Sequence, residues 1–367
     1  MSTPIGCMSG DDCNCSQWRC IYPSKAINAT GQHSAKLIDM QSFIDNTAEA
    51  QTVCGGSDVI VVQRNIFGPN LAVMQNWKCQ GKVIIADFDD AYNLTEPCNI
   101  SYPFWVGGKI DVKTTDGRVI PARMEPHPIT QFKWGLRMAH AATTPSRLLC
   151  DDWSKYTDTY YLPNYIDLPR YTAAREARQT HDGIIIGWGG SVSHFQSFTD
   201  SGVLAALKRV CKARSKVKVM ICGDKRVYDQ VDIPEAQKIF QAFVPVDQWP
   251  GILANFDIGL APLHGAYDDR RSWIKPLEYM VMKIPWIATD GPAYQELGEY
   301  GRLVENTARG WERALLDVVD ALDAYREFAS GKPYEWAAQQ NVYDNADKII
   351  TIYQAIKDKA NGHKTCS

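Results

Sequence analysis

The sequence predicts an α/β protein with more than one domain. Short apolar runs recur along the chain, at residues 58–65, 82–90, 183–190, 216–223, 256–263 and 284–290. Their hydrophobicity is continuous rather than alternating, which is typical of parallel strands that are buried on both faces. Amphipathic segments lie between the runs, and the clearest keeps the spacing of one helix face from Trp311 to Tyr325. Strands that alternate with helices indicate parallel sheets with right-handed crossovers.

The chain of 367 residues is too long for one compact core, and its apolar runs fall into two groups. Between the groups, residues 107–123 predict a loop or a hairpin, and the turn-rich stretch 162–168 with the polar stretch 171–182 predicts an exposed linker. We therefore predict three segments, which are an N-terminal domain at residues 1–170, a C-terminal domain at 171–345 and a helical tail at 346–367. The amphipathic pattern of the tail allows it to cross back to the N-terminal domain.

The composition is that of an ordinary soluble protein, with 45% hydrophobic and 22% charged residues. The net charge of −3 gives no global positive field that would recruit nucleic acid or an anionic membrane. No apolar run approaches the roughly 20 residues of a membrane span. The first residues lack the charged and apolar regions of a signal peptide, so we expect a cytoplasmic protein.

Eleven cysteines are present, and four of them crowd near the start, at Cys7, Cys13, Cys15 and Cys20. Their spacing contains no CxxC pair, which makes a zinc site the weaker interpretation. We interpret them as free thiols in a reducing compartment. The loop at residues 6–12 is expected to follow the first strand.

A cluster of cations stands just ahead of one carboxylate in the second half of the chain. Arg271, Ser272 and Lys275 precede Glu278, and an apolar helical run and a strand follow. Cations suit the phosphates of a nucleoside diphosphate, and a carboxylate can accept two hydroxyl hydrogen bonds from its ribose. A solvated helix face is the alternative interpretation of the same residues.

Glycines close the apolar run at residues 183–190, and Gly187, Gly189 and Gly190 are expected to follow its strand and precede a helix. Gly189 and Gly190 would let backbone N–H groups approach a phosphate at a helix N-terminus, although a tight turn explains them equally well. Ser191 and His194 lie in the same stretch, and His194 is either a phosphate ligand or a packing residue.

Three aspartates, Asp87, Asp89 and Asp90, follow the run at residues 82–90. They could form a DxD metal site, orient a sugar or an acceptor hydroxyl, or cap a helix. We predict no metal site, and the family resemblance described next implies a role of Asp89 near a transferred sugar.

The second half of the chain resembles the GT-B glycosyltransferases, in particular the retaining group related to glycosyltransferase family 4 and its shorter phage and bacterial relatives. The resemblance rests on four segments in the order of that family, at residues 187–198, 219–224, 243–263 and 270–297. The first half matches more loosely, at residues 16–35 and around the three aspartates. The resemblance implies two Rossmann-like domains that face a cleft, with the nucleotide sugar held mainly by the C-terminal domain and the acceptor mainly by the N-terminal one.

The resemblance also implies roles for individual residues. Glu278 matches the second glutamate of the EX7E motif, which holds the ribose hydroxyls, whereas Arg270 stands where the first glutamate is expected. Arg271, Ser272 and Lys275 match the RSxxK version of the shorter relatives. Arg271 and Lys275 would then offset the charge of the diphosphate in place of a metal ion. Asp290 follows the last main strand and is expected to contact the nucleotide or the sugar.

Together these patterns predict a retaining, metal-independent glycosyltransferase that needs no cofactor. Its donor would be a UDP- or GDP-linked sugar and its acceptor a hydroxyl group, either of a glycan or of a hydroxymethylated base in phage DNA. A non-catalytic sugar-nucleotide-binding protein and a sugar-nucleotide epimerase are the alternatives. Neither the acceptor nor the oligomeric state follows from the residues.

Overall fold

The computed structural model describes residues 3–11, 14–114 and 116–362 of the chain. It divides into two compact units, of which the first comprises Met1–Tyr165 with Val342–Ser367 and the second Ile166–Asn341. Each unit contains one six-stranded sheet in which all pairs of neighbouring strands are parallel. The predicted α/β class with parallel sheets is therefore confirmed. Asp12 and Cys13, which belong to the predicted loop and to the cysteine cluster, lie outside the described residues.

The sheet of the first unit has the strand order β2-β1-β3-β4-β7-β8. Its strands are β1 (Pro4–Ser9), β2 (Ser34–Asp39), β3 (Val59–Gln63), β4 (Val83–Asp87), β7 (Ala141–Thr144) and β8 (Thr159–Tyr161). Every residue of β3 and β4 is buried, as their continuous apolar sequences predict. The chain reverses its direction of travel across the sheet between β1 and β3, and such a switch point is where open α/β sheets bind ligands.

A hairpin separates β4 from β7 in the sequence. Its two strands, β5 (Lys109–Lys113) and β6 (Val119–Arg123), pair antiparallel with Lys109 opposite Arg123. The predicted loop or hairpin at residues 107–123 is therefore a hairpin.

The sheet of the second unit has the strand order β11-β10-β9-β12-β13-β14. Its strands are β9 (Ile184–Gly190), β10 (Val217–Gly223), β11 (Lys238–Ala242), β12 (Ile258–Ala261), β13 (Trp286–Thr289) and β14 (Arg302–Val304). The chain moves outward from β9 to β11 and then returns to β12 on the other side. This is the Rossmann order, and its switch point lies between β9 and β12.

Helices connect the strands. Those of the first unit are Asn14–Ser16, Gln17–Ile21, Tyr22–Ala29, Met40–Asp45, Ala48–Gly56, Asn70–Cys79, Tyr92–Leu94, Tyr102–Trp105, Pro128–Met138, Arg147–Trp153 and Ala346–Gly362. Those of the second unit are Leu168–Glu176, Val192–His194, Phe195–Thr199, Val203–Ala213, Lys225–Gln230, Glu235–Gln237, Trp249–Leu253, Gly265–Asp268, Ile274–Val281, Gln295–Tyr300, Ala308–Asp320, Leu322–Ser330 and Lys332–Ala338.

The last helix, Ala346–Gly362, packs in the first unit against the helix Tyr22–Ala29. Its apolar face is buried, and Lys357 at its polar side pairs with Asp58 at 2.7 Å. The chain thus ends its described part in the first unit, where the apolar face of this amphipathic helix is buried.

Two details of the sequence-based helix predictions are wrong. The polar stretch 171–182 is not an exposed linker throughout, because a helix runs over Leu168–Glu176 and Tyr171 is buried within the second unit. Pro169 in the first turn and the covered phenol of Tyr171 favour this helix over an extended linker. The helix face that continues to Tyr325 is also interrupted, since Ala321 leaves the helical conformation with φ −120° and ψ 32°.

A buried ion pair stands in the core of the first unit. Arg19 and Asp87 face each other with side-chain exposures of 2% and 0%, and Nη2 of Arg19 lies 2.6 Å from Oδ2 of Asp87. Arg19 also donates to the carbonyl oxygen of Leu162 and to Oδ1 of Asn164, and the Thr143 hydroxyl donates to Asp87. Burial alone would lower the pKa of Arg19, but the Asp87 carboxylate outweighs burial, so the pKa is raised and the guanidinium group stays charged.

Candidate functional site

The polar residues predicted for the nucleotide lie near the carboxyl end of β9 in the second unit. Ser191, Ser193 and His194 follow β9 directly, and Lys275 and Glu278 lie on the helix Ile274–Val281. Lys275 and Glu278 are three residues apart, so their side chains project from the same side of that helix. The site therefore stands at the switch point between β9 and β12, where the fold rule places a ligand.

The structure brings the predicted cations together with the residues that follow β9. Nζ of Lys275 lies 3.3 Å from Nε2 of His194. Nη2 of Arg271 donates to the backbone oxygen of Ser193 at 3.2 Å, and Nε of Arg271 donates to Oδ1 of Asp268 at 2.6 Å. Asp268 is almost fully buried and holds the arginine in place. Two positive side chains thus converge on one short segment of backbone.

His194 is nine-tenths buried beside these cations. Burial, with Arg271 and Lys275 in addition, lowers the pKa of His194 well below its usual value, so the ring is neutral. A neutral ring can accept a hydrogen bond from the Lys275 ammonium group through Nε2, which leaves Nδ1 as the N–H donor. Within the described part of the chain, Nδ1 has no hydrogen-bond partner.

Glu278 is held by two donors from other parts of the second unit. Its Oε1 accepts a hydrogen bond from the Tyr171 hydroxyl at 2.6 Å and another from Nε1 of Trp249 at 3.0 Å. Burial raises the pKa of Glu278 to about 7, although both hydrogen bonds and Lys275 act in the opposite direction. The carboxyl group consequently changes its charge near neutral pH.

Replacing Glu278 with glutamine is expected to remove a pH dependence from the stability of the protein. The pKa of Glu278 rises from 4.5 to about 7 on folding, so its contribution is favourable below pH 4.5 and is lost as the pH rises to about 7. At higher pH the buried carboxylate costs on the order of 3 kcal/mol. Urea unfolding across this pH interval should therefore show the variant gaining stability relative to the wild type. Parallel curves for the two proteins would contradict the shifted pKa.

The glycines Gly189 and Gly190 belong to β9 itself, so the prediction that they follow the strand is wrong. Packing explains why they are glycines. A Cβ atom on Gly189 would lie 2.2 Å from the Trp249 ring, and one on Gly190 would lie 2.5 Å from the Trp188 ring. Contact of their backbone with a phosphate stays a prediction.

The remaining predicted residues of this unit lie at the same edge of the sheet or close to the helix that carries Lys275. Asp290 is exposed directly after β13, and its N–H donates to the carbonyl oxygen of Val304 at 2.8 Å. Ser272 is half-buried and lies just before the helix Ile274–Val281. Ser191 is exposed, with its hydroxyl 3.1 Å from that of Ser193.

Asp89 lies in the first unit, in a separate polar cluster. Arg64 directly follows β3 with a positive φ of 57°, and its guanidinium group contacts Oδ1 of Asp89 at 3.4 Å and Oδ2 of Asp11 at 2.8 Å. The Tyr92 hydroxyl donates to Oδ1 of Asp89 at 3.1 Å. Burial would raise the pKa of Asp89, but Arg64 and the hydrogen bonds from Cys15 and Tyr92 outweigh it, so the pKa is lowered. The cluster gathers at the carboxyl ends of β1, β3 and β4, beside the switch point of that sheet.

Two of the three carboxylates of the DFDD segment each pair with an arginine. Asp87 pairs with Arg19 in the core, and Asp89 pairs with Arg64. Over residues 3–11, 14–114 and 116–362, no group of three or more His, Cys, Asp or Glu side chains is arranged to hold a metal ion.

The sequence analysis missed the roles of several residues that contact the predicted site residues. Tyr171 and Trp249 bind Glu278, Asp268 binds Arg271, and Arg64 binds Asp89. Trp249 lies within a segment that carried the resemblance and Asp268 lies close to another, which is the one signal that could have indicated them. Tyr171 and Arg64 stand in stretches without a motif.

The fold is that of known glycosyltransferases. Alr3699/HepE of Anabaena, solved in complex with UDP, has a TM-score of 0.65 and 13% identity, over 96% of this chain and 99% of that one. The sucrose-phosphate synthase of Thermosynechococcus elongatus has a TM-score of 0.64 and 12% identity, over 96% and 99%. A glycosyltransferase of Rickettsia africae has a TM-score of 0.63 and 13% identity, over 96% and 98%. These similarities confirm the predicted GT-B fold with two Rossmann-like domains.

A comparison of the sequence with protein-family models gives a match within the second unit. Residues 190–321 match the family model described as glycosyl transferases group 1, and this segment lies within the second unit. It contains His194, Arg271, Lys275 and Glu278. The protein therefore has the GT-B fold, and this segment of its second unit is similar to the glycosyl transferases of group 1. No curated protein sequence matches the chain.

None of the helices in the described ranges is long and apolar enough to cross a membrane.

Proposed function

We propose that the protein transfers a sugar from a nucleoside-diphosphate sugar, UDP- or GDP-linked, to a hydroxyl acceptor. The observation that carries the proposal is the convergence of Arg271, Lys275 and Glu278 near the carboxyl end of β9. Two cations and one carboxylate match the charges and hydroxyls of a nucleoside diphosphate. A relative in fold, HepE, was solved with UDP, which supports uracil as the base.

In the proposed mechanism, the domain predicted at residues 171–345 binds the donor. Glu278 accepts hydrogen bonds from the ribose hydroxyls, while Lys275 and Arg271 face the diphosphate. Negative charge grows on the diphosphate as the glycosidic bond breaks, so fixed cations stabilise the transition state more than the ground state. These two side chains supply the positive charge without a metal ion or another cofactor.

Retention of configuration fits this arrangement. The leaving phosphate can take the proton of the acceptor hydroxyl on the same face of the sugar from which it departs. Among the described carboxylates near Lys275, Asp268 is engaged by Arg271 and Oε1 of Glu278 by two donors, so we assign the role of the base to the leaving phosphate. His194, which is neutral, and Ser191 are proposed to donate to phosphate oxygens.

The domain predicted at residues 1–170 is proposed to bind the acceptor. Asp89 is kept ionised by Arg64 and can accept a hydrogen bond from a sugar or acceptor hydroxyl. A glycan hydroxyl and the hydroxyl of a hydroxymethylated DNA base both meet this requirement. Asp11 and Asp89 carry negative charge at the same edge, which favours the neutral glycan over the polyanion.

A thermal-shift panel tests the donor. UDP, GDP, ADP and their sugars are each added in excess, and ligand at about 100 times its Kd should add about 2.7 kcal/mol of stability. A shift with one nucleotide and its sugar identifies the donor class, and no shift with any of them overturns the proposal.

The reaction is then tested by following the donor without an acceptor. Slow release of the nucleoside diphosphate that disappears in Lys275→Ala supports the transferase. Tight binding without turnover, with or without candidate acceptors, would identify a binding protein instead. Conversion of the donor sugar into its epimer would identify an epimerase.

A further inference from the structure

The carboxylate of Glu278 is unusual in having both of its protein donors on one oxygen. Tyr171 reaches Oε1 from the helix Leu168–Glu176, and Trp249 reaches it from the start of the helix Trp249–Leu253. Across residues 3–11, 14–114 and 116–362, no hydrogen-bond donor reaches Oε2. Two fixed donors on Oε1 set the plane of the carboxylate and leave Oε2 to accept from a ligand.

The position of Trp249 depends on the glycines of β9. The indole ring lies so close to Gly189 that a Cβ atom there would stand 2.2 Å from its Cη2 atom. The same ring packs edge-to-face on Phe256 with 6.2 Å between centroids, and Phe256 occupies the space that a Cβ on Gly187 would need. The indole can therefore reach Glu278 only because β9 has no side chain at this point.

We propose that Trp249 and Tyr171 are positioning residues for the carboxylate of Glu278, and that Gly189 is required because it admits the Trp249 indole. The proposal rests on the proposed function, in which Glu278 binds the ribose. In this proposal the glycine-rich end of β9 also orients the Glu278 carboxylate that binds the ribose. This role is separate from any contact of the glycines with phosphate.

The charged surroundings of Glu278 make this role measurable. The ionisable groups that act on its carboxyl are Lys275 on its own helix and the Tyr171 phenol, and the adjacent Tyr279 senses its charge. The hydrogen bonds from Tyr171 and Trp249 favour the ionised carboxylate, so removing either raises the pKa of Glu278 above about 7. Ligand binding that needs the carboxylate then requires a higher pH.

The test uses Trp249→Phe and Tyr171→Phe, which remove one donor each and keep an aromatic ring at each position. Calorimetry measures the Kd of UDP-glucose, or of GDP-glucose if the nucleotide panel selects guanine, at several pH values around neutrality. These diphosphate diesters do not titrate there, so the pH dependence belongs to the protein. We expect each variant to bind about tenfold more weakly at neutral pH, with the acid limb of binding displaced to higher pH.

Gly189→Ala should reproduce the Trp249→Phe result, because the added methyl group displaces the indole. Gly251→Ala is the matched control, since a Cβ atom at Gly251, on the same helix as Trp249, meets nothing within 4 Å. A merely structural role of Trp249 would lower the unfolding midpoint but leave the Kd and its acid limb unchanged in the folded variants, and this result would overturn the proposal.

Glu278→Ala separates this proposal from the proposed function. If Glu278→Ala loses binding while Trp249→Phe and Tyr171→Phe keep the wild-type Kd and pH profile, the positioning role fails and the donor site stands. If Glu278→Ala keeps the wild-type Kd, the donor site itself is misplaced.

Discussion

Replacing Lys275 with alanine is expected to lower kcat/KM for the nucleotide sugar about 100- to 1000-fold. The ammonium group lies 3.3 Å from Nε2 of a neutral His194, and Lys275 stands one helical turn from Glu278. Because it would face a leaving group that gains charge, its loss should cost about 2.7–4 kcal/mol of transition-state stabilisation, as for other fixed donors at such positions. Steady-state rates of donor hydrolysis or transfer measure the effect.

Lys208→Ala is the control for the loss of one lysine from the same unit. Lys208 is exposed on the helix Val203–Ala213 and pairs with Asp232, so its replacement should leave kcat/KM unchanged. Equal rates for Lys275→Ala and Lys208→Ala would refute the role of Lys275 at the diphosphate. A rise in KM alone would instead place Lys275 in ground-state binding.

Replacing Asp87 with alanine is expected to destabilise the protein by about 3–5 kcal/mol. Its partner Arg19 is 2% exposed, and removal of the carboxylate would leave a buried guanidinium group without a counter-charge. Urea unfolding, with hydrogen exchange of the amides of β4 as a local probe, measures the loss in the first unit.

Asp58→Ala provides the comparison, because Asp58 also pairs with a cation in the first unit but is 44% exposed. An exposed pair contributes about 1 kcal/mol at most, so this variant should unfold almost like the wild type. If Asp87→Ala lowers the free energy of unfolding no more than Asp58→Ala does, water must reach Arg19. This result would contradict the burial of Arg19.

The sequence predicted those strands that are continuous and apolar. The six apolar runs coincide with β3, β4, β9, β10, β12 and β13, all of which lie inside the two sheets. The strands at the sheet edges, β2, β8, β11 and β14, escaped prediction. An edge strand has one unpaired side and is partly exposed, as the pattern of β2 illustrates, so its sequence needs no continuous apolar run.

The sequence predicted the charged residues of the candidate site. It did not predict the residues that hold those side chains in place. Arg271, Lys275 and Glu278 stand close together in the sequence, and the helical period places two of them on one side. Tyr171 is separated from Glu278 by 107 residues, and only the folded second unit brings its hydroxyl to the carboxylate. Contacts of this kind depend on tertiary packing and leave no local pattern.

The order of the two units along the chain affects how each of them can fold during synthesis and which of them tolerates truncation. The second unit, Ile166–Asn341, is continuous in sequence, and its two ends meet where Ile166 bridges to Asn341. The first unit is discontinuous, and its helix Ala346–Gly362 is translated only after the whole second unit. The second unit can thus complete its own contacts during synthesis before that helix of the first unit has been made. Deleting the residues after Asn341 would leave the second unit complete. The same deletion would remove the helix Ala346–Gly362 from the first unit, although most of that unit is translated earlier.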